Sequence, residues 1–320
     1  MRVNRRAIGI GGLAAVIVVG VIAAFTTFPQ DRLARWVEPV LSSPDASQGP
    51  NAGQGLCGGW ECPIAERFEP AARLVAEAPG YLGVAVRDRE TGQLWTAGAV
   101  DRPIWTASTI KVAIIADQLV RARAGELTIG ASDRRGFDQM LSTSYNRPAT
   151  NLWAKHGGEA ALERYRTVFG MTGVQFPTEE RLWGAIKATT LDFVALMKFV
   201  LEDLHPDDRA YLVHGMRTVA EIQQWGVWCA GPEWEPGVKA GWNVEENPDG
   251  ERHWVVNSVG FAGPDERYIV SVMYELLPGT QVPGHRLGDG EQVVSDVVAT
   301  LFGAPVPASV PDPALLIQGT

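Results

Sequence analysis

The chain has 320 residues, 46% hydrophobic and 20% charged, the composition of a globular protein with room for one sizeable domain or two small ones, which excludes a disordered chain. Its formal charge is −9, and without Arg2, Arg5 and Arg6 the rest carries 25 basic against 37 acidic residues. That balance lacks the basic face that phosphate binding needs, so no nucleic-acid partner is expected.

The N-terminus reads MRVNRR and then runs uncharged from Ala7 to Phe28. As a helix that run would span roughly 33 Å, enough for a hydrocarbon core of about 30 Å. Residues 1–28 are therefore expected to be a signal anchor, with a signal peptide cleaved near Ala23-Ala24 as the alternative. Arg2, Arg5 and Arg6 would hold the N-terminus in the cytoplasm. The body is expected outside the cell membrane, tethered, or secreted if cleaved.

Residues 29–56, rich in Pro, Ser, Gly and Gln, read as a flexible tether. Cys57, Cys62 and Cys229 suit an oxidising compartment with one disulfide and one remaining thiol. Cys57 and Cys62 can close a small loop, or either can pair with Cys229. None of the five scattered histidines (156, 205, 214, 253, 285) accompanies them at ligand spacing, so no metal is expected.

A folded domain is expected over 57–303. The segment PIAERFEPAARLVAEA spaces Ile64, Phe68, Ala72 and Val75 as one helix face. Two strands follow, YLGVAVRD and QLWTAGAV, joined by a turn over 89–92. TASTIKVAIIADQLVRARAG reads as an apolar helix stopped at Gly125. Residues 126–222 read as helices. GVKAGWN, HWVVNSVGFAG and RYIVSVMYEL then alternate with period two, and a helix over 290–303 precedes a Pro-rich tail, 304–320. This order predicts an α+β domain, an antiparallel sheet assembled from both ends of the chain and flanked by helices, with a helical subdomain inserted. Ligands favour the cleft between such parts.

Three short motifs carry the chemistry. Ser108 and Lys111 lie three apart at a helix start, so Lys111 Nζ can reach Ser108 Oγ. Chance alone gives on the order of 0.2 such S-x-x-K patterns here, a weak signal by itself. Only five lysines stand against 23 arginines, and a lysine, unlike an arginine, can be deprotonated by burial. Acting as a base would require its pKa to fall by about three units. Ser144 and Asn146 form S-x-N on a turn between helices, where they can also cap the next helix. Lys239 and Gly241 lie on a strand, the glycine permitting close approach of a substrate backbone.

With these three motifs in this order, residues 57–303 resemble the penicillin-recognising serine enzymes, specifically the class A β-lactamases. The resemblance implies Ser108 as acyl-enzyme nucleophile, Lys111 as base or proton relay, and Ser144 as proton donor to the leaving nitrogen. It implies Asn146 as binder of a substrate amide, Lys239 as carboxylate site with Gly241 beside it, and the N–H groups of Ser108 and Trp242 as oxyanion hole. A small β-lactam or a peptidoglycan stem peptide would be the substrate, without cofactor, on a monomer.

The chain departs from the family pattern in three ways. The interval from Ser108 to Ser144 is short, so the subdomain is trimmed. Ala240 stands where the family has Thr or Ser. The deacylating E-x-x-L-N segment is missing, and the corresponding loop offers only Glu179 and Glu180, which as adjacent charges also suit the surface. The alternatives are a D-alanyl-D-alanine carboxypeptidase or related cell-wall peptidase, and a non-catalytic binding protein keeping the fold. Trp225, Trp228, Trp234 and Trp242 suit packing or an aromatic rim. No G-x-S-x-G elbow surrounds any serine, which disfavours a Ser-His-Asp enzyme.

Overall fold

A computed structural model describes residues 56–282 and 284–312. The expected span Ala7–Phe28 and all but the last residue of the tether lie outside the described residues. No helix among the described residues is long and apolar enough to cross a membrane.

The chain enters through a two-stranded hairpin, β1 (Leu56–Cys57) and β2 (Trp60–Glu61), closed by a disulfide between Cys57 and Cys62. Cys229 is a free thiol. The helix expected next comes in two pieces, α1 (Cys62–Ala65) and α2 (Phe68–Glu77). The break lets Trp60 and Phe68 meet edge to face at 4.9 Å. Ala71 and Val75 of α2 are buried.

β3 (Gly80–Asp88) and β4 (Leu94–Gly98) form the expected hairpin, and β5 (Ile104–Trp105) leads into a 3₁₀ turn, Ala107–Ile110, and helix α3 (Lys111–Arg123). Every residue of α3 from Lys111 to Leu119 is buried. A helix buried all round is central, and the others of the subdomain pack around it: α4 (Ala131–Ser142), α5 (Asn146–Lys155) and α6 (Ala161–Thr167).

Inside the block read as helical lies β6 (Lys187–Ala188), paired with β5. Two residues are too few for a period-two signal. α7 (Thr190–Lys198) starts on a capping box, Thr189 Oγ1 accepting from Asp192 N and Asp192 accepting from Thr189 N. It runs into a π-helical turn and is followed by α8 (Pro206–Arg217).

The last third is β7 (Gly237–Glu246), β8 (Arg252–Ala262), β9 (Tyr268–Leu276) and α9 (Leu287–Phe302), which ends at Gly303 in the left-handed conformation. The five-stranded antiparallel sheet has the order β4-β3-β9-β8-β7, so both ends of the chain contribute, as predicted. β9 is central and buried on both faces, which explains why its sequence is almost continuously apolar.

Two cores result. One joins the sheet to the helical subdomain, with Val255, Val259 and Met273 against Ile114, Phe193 and Leu196. The other packs Val256, Val272 and Tyr274 against Val75 of α2 and Val294, Val298 and Leu301 of α9. Trp225 and Trp242 belong to this second core, with Trp228 and Trp234 packed against it, which favours packing over an aromatic rim. The tail after α9 lies on the body: Ala308 N donates to Asp296 Oδ1 at 2.6 Å and Gln292 Nε2 donates to Ala308 O at 3.0 Å.

Candidate active site

The turn Ala107–Ile110 is fixed from several sides before any chemistry is considered. Thr106 N and Oγ1 both donate to Ile186 O, at 2.9 and 3.1 Å, and Asn257 Nδ2 donates to Trp105 O at 2.8 Å. Ala107 is held at φ 47° and Ser144 at φ 62°, a region unfavourable for residues with a Cβ. Five non-glycine residues among those described have positive φ, and two of them flank this cleft. Such strain costs about 1–3 kcal/mol per residue and gathers where surrounding structure imposes a functional geometry.

Ser108 is 8% exposed, and Lys111, the first residue of α3, is completely buried. Lys111 Nζ donates to Ser108 Oγ at 2.8 Å, to Asn146 Oδ1 at 2.7 Å, and to the Ser144 carbonyl. It lies 3.3 Å from Ser144 Oγ. Burial lowers its pKa to about 7, because none of these neutral acceptors replaces the hydration that an ammonium loses.

Lys239, on β7, is also completely buried. Its Nζ donates to Ser144 Oγ at 2.9 Å, to Ala240 O at 2.6 Å, and to Gln223 Oε1. Its pKa is pushed well down, first by burial and then by the charge of Lys111. Ser144 Oγ therefore bridges the two lysines. One hydroxyl between two amines is a path along which a proton can pass.

Gly241 brings β7 against the turn. A Cβ there would lie 2.8 Å from Ser108 N and 2.7 Å from Thr109 N, so only glycine allows this approach. Ala240 is buried in the second core and offers no polar side-chain atom. The Trp242 ring packs 6.3 Å from that of Trp225.

The structure thus brings Ser108, Lys111, Ser144, Asn146, Lys239 and Gly241 together. Glu179 and Glu180 stand apart: both are exposed, and Glu179 pairs with Arg181 at 3.6 Å. The group of that loop that does face Lys111 is Trp183, whose ring centroid is 4.9 Å from Nζ. Its Nε1 donates to Thr150 Oγ1 at 3.1 Å, tying the ring to α5.

Gln223 is the polar member that sequence reasoning missed. Fully buried, it accepts from Lys239 and donates through Nε2 to Ser142 O at 2.7 Å and to Leu141 O, joining Lys239 to the end of α4. A glutamine in an irregular stretch has no pattern to reveal it. Among the described residues no group of His, Cys, Asp and Glu has the makings of a metal site.

No protein-family model matches the sequence. The chain is 30% identical over 284 residues to LppW of Mycobacterium tuberculosis and of Mycobacterium bovis, a candidate lipoprotein by name, covering 86% of this chain and 83% of LppW. Among solved structures, an ancestral class A β-lactamase superposes with a TM-score of 0.59 at 20% identity, covering 74% of this chain and 99% of that one. A β-lactamase from Burkholderia vietnamiensis gives 0.60 at 20% identity, covering 74% and 95%. The TLA-3 extended-spectrum β-lactamase gives 0.61 at 13% identity, covering 75% and 98%. The fold is that of the class A β-lactamases, in divergent form.

Proposed function

From the premise that this chain belongs to the family of the mycobacterial LppW proteins, and carries the β-lactamase fold, we propose that it is a serine hydrolase. It acts through an acyl-enzyme on β-lactam-like or D-Ala-D-Ala-like amides. The observation that carries the reading is the buried Lys111 Nζ, 2.8 Å from Ser108 Oγ, with its pKa at about 7. At neutral pH a large share of such lysines is uncharged and able to take a proton.

Ser108 Oγ attacks the substrate carbonyl carbon and its proton passes to Lys111. The oxyanion is held by the N–H groups of Ser108 and Trp242. β7 is the edge strand, and Ala240 turns its carbonyl to Lys239 in the cleft; Trp242, two residues on, presents its N–H with the same parity. Ser144 hands a proton to the leaving nitrogen, the C–N bond breaks, and the acyl group remains on Ser108 as an ester. A substrate carboxylate beside Lys239 offsets the burial of its charge. The resulting ammonium then favours neutral Lys111, so substrate binding itself readies the base.

Hydrolysis of the ester needs an activated water. Trp183 stands over Lys111 where a carboxylate would serve that purpose, and an indole is no base. The acyl-enzyme is therefore expected to be long-lived, which suits a cell-wall peptidase or penicillin-binding protein better than a fast β-lactamase. LppW is named as a lipoprotein, and the membrane attachment of this chain is proposed to rest on the uncharged run Ala7–Phe28.

Intact mass of the protein after incubation with a penicillin tests the reading. A persistent adduct, absent in Ser108→Ala, is the expected result. No adduct with rapid loss of drug would make it a β-lactamase with efficient deacylation. No adduct and no hydrolysis of penicillin or of a D-Ala-D-Ala peptide would leave a non-catalytic binding protein.

A further inference from the structure

Gln223 closes a short 3₁₀ turn, Glu221–Gln223, and is fully buried with both ends of its amide engaged. Nε2 donates to Ser142 O at 2.7 Å and to Leu141 O, carbonyls of the last turn of α4 that lack a helical partner, and Oε1 accepts from Lys239 Nζ. Backbone carbonyls only accept, so the amide can stand only this way round. Ser142 O also accepts from Ala220 N at 2.9 Å, which docks the turn on the end of α4. Ser144 follows two residues later. One side chain thus ties the helix that leads to Ser144 to the strand that carries Lys239, whose Nζ lies 2.9 Å from Ser144 Oγ.

What Gln223 does not supply is charge. The three N–H donors of an ammonium at Lys239 have three acceptors, Ser144 Oγ, the Ala240 carbonyl and Gln223 Oε1, and all are neutral. β8 sets Val259 opposite Lys239, and Glu221, in the turn itself, is exposed. The charged groups of α8, which packs on β7, are paired elsewhere: Asp207 and Asp208 with Arg123, Arg209 and Arg217 with Glu266. Among the described residues the charged side chain that acts on Lys239 is Lys111, and it repels. A glutamate at 223 has the size and position of a counter-ion. It would, however, set a carboxylate oxygen against the Leu141 and Ser142 carbonyls, where the amide has its N–H₂. The end of α4 therefore disfavours a resident anion here. A ligand carboxylate has access, because the hydroxyl of Ser144 faces the cleft with Lys239 Nζ directly behind it.

We propose that Gln223 is the positioning residue that makes this cleft select substrates bearing a carboxylate. It holds Lys239 against Ser144 through a neutral amide anchored on α4, so the negative charge that completes the site arrives with the substrate. The inference deepens the serine-hydrolase reading and rests on it for the place of the substrate; its test reads titration and binding, without turnover.

The full chain carrying Ser108→Ala, which cannot be acylated, would be labelled with ¹³C at Cε of its five lysines, and Lys239→Arg would identify the Lys239 signal. With Gln223 in place, benzylpenicillin is expected to raise the pH midpoint of that signal by roughly one unit or more, and its methyl ester, which lacks the charge, to leave it where it was. Gln223→Glu should raise the midpoint before any ligand is added and blunt the further shift with penicillin. Gln223→Leu should lower the affinity for the acid about tenfold and leave that for the ester unchanged, a split that general loosening of the fold, followed by circular dichroism, would not produce. Equal responses to acid and ester in the parent, an unchanged midpoint in Gln223→Glu, acid and ester weakened alike in Gln223→Leu, or no response to either compound would overturn the proposal. Failure of the serine-hydrolase reading shows separately, as the lack of a mass adduct when Ser108 is present.

Discussion

Lys111 shows how a single burial sets both reactivity and its pH dependence. Its base form grows as pH rises through about 7, so acylation of Ser108 by a penicillin is expected to rise about tenfold per pH unit below 7 and to level off above it. Stopped-flow acylation across pH 5–9 checks this; a flat profile would remove Lys111 as the base. The Trp183 ring lies 4.9 Å from the amine, so Trp183→Ala is expected to open that side of Lys111 to water, move the midpoint upward by partial rehydration, and shorten the adduct's lifetime. An unchanged midpoint and lifetime would mean that the indole shields nothing.

Between elements, the decisive contact is that of β7 with the turn before α3. Gly241→Ala places a methyl 2.8 Å from Ser108 N and 2.7 Å from Thr109 N, closer than a Cβ can approach backbone, so β7 or the turn must move apart. Acylation should slow by on the order of 10²–10³, the usual cost of losing an oxyanion donor. Chemical denaturation should show a loss of about 1–3 kcal/mol. A variant that keeps its acylation rate would show that the approach of β7 is not needed.

This scale also shows what was legible in the sequence. β8 and β9 announced themselves through runs such as VVNSV and YIVSV, and Ser108, Lys111, Ser144, Asn146 and Lys239 through short fixed spacings. Gln223 and Trp183 did not, because they sit in irregular segments that packing brings to the site, Gln223 82 residues from Leu141 and Trp183 33 from Thr150. The carboxylates in the loop, Glu179 and Glu180, are exposed, as adjacent charges usually are. The break between α1 and α2 was hidden because an unbroken apolar face continues across it.

For the whole molecule, pH acts on stability through buried groups of opposite kind. Lys111 and Lys239 bind protons less readily folded than unfolded, so their contribution to stability rises with pH, for Lys111 between about 7 and 10.5. Glu291 does the reverse. It is fully buried on α9, both carboxylate oxygens lack hydrogen-bond partners among the described residues, and burial raises its pKa to about 8. The folded state therefore holds its proton longer, and stability falls between pH 4.5 and about 8. Glu291→Gln should leave stability at pH 4 nearly unchanged and increase it at pH 9, by up to about 5 kcal/mol. Thermal melts at the two pH values decide, and equal shifts at both would place the carboxylate in contact with solvent.

The pairing of β3 with β9 carries a consequence for how the protein is made. Val84 lies opposite Val272, roughly 190 residues later in the chain. During synthesis β3 emerges first and can pair with β4 at once, but its other edge finds no partner until β9, the last strand, has followed. A chain stopped at Gly263 should thus carry the β3–β4 hairpin with the β9-facing edge of β3 unpaired and protease-sensitive. Limited proteolysis of such a truncation should cut first within residues 80–98, and resistance there would show that the sheet closes without its central strand. The order of emergence makes β9 the final latch of the sheet, and until it arrives nothing joins the β3–β4 hairpin to the β7–β8 pair.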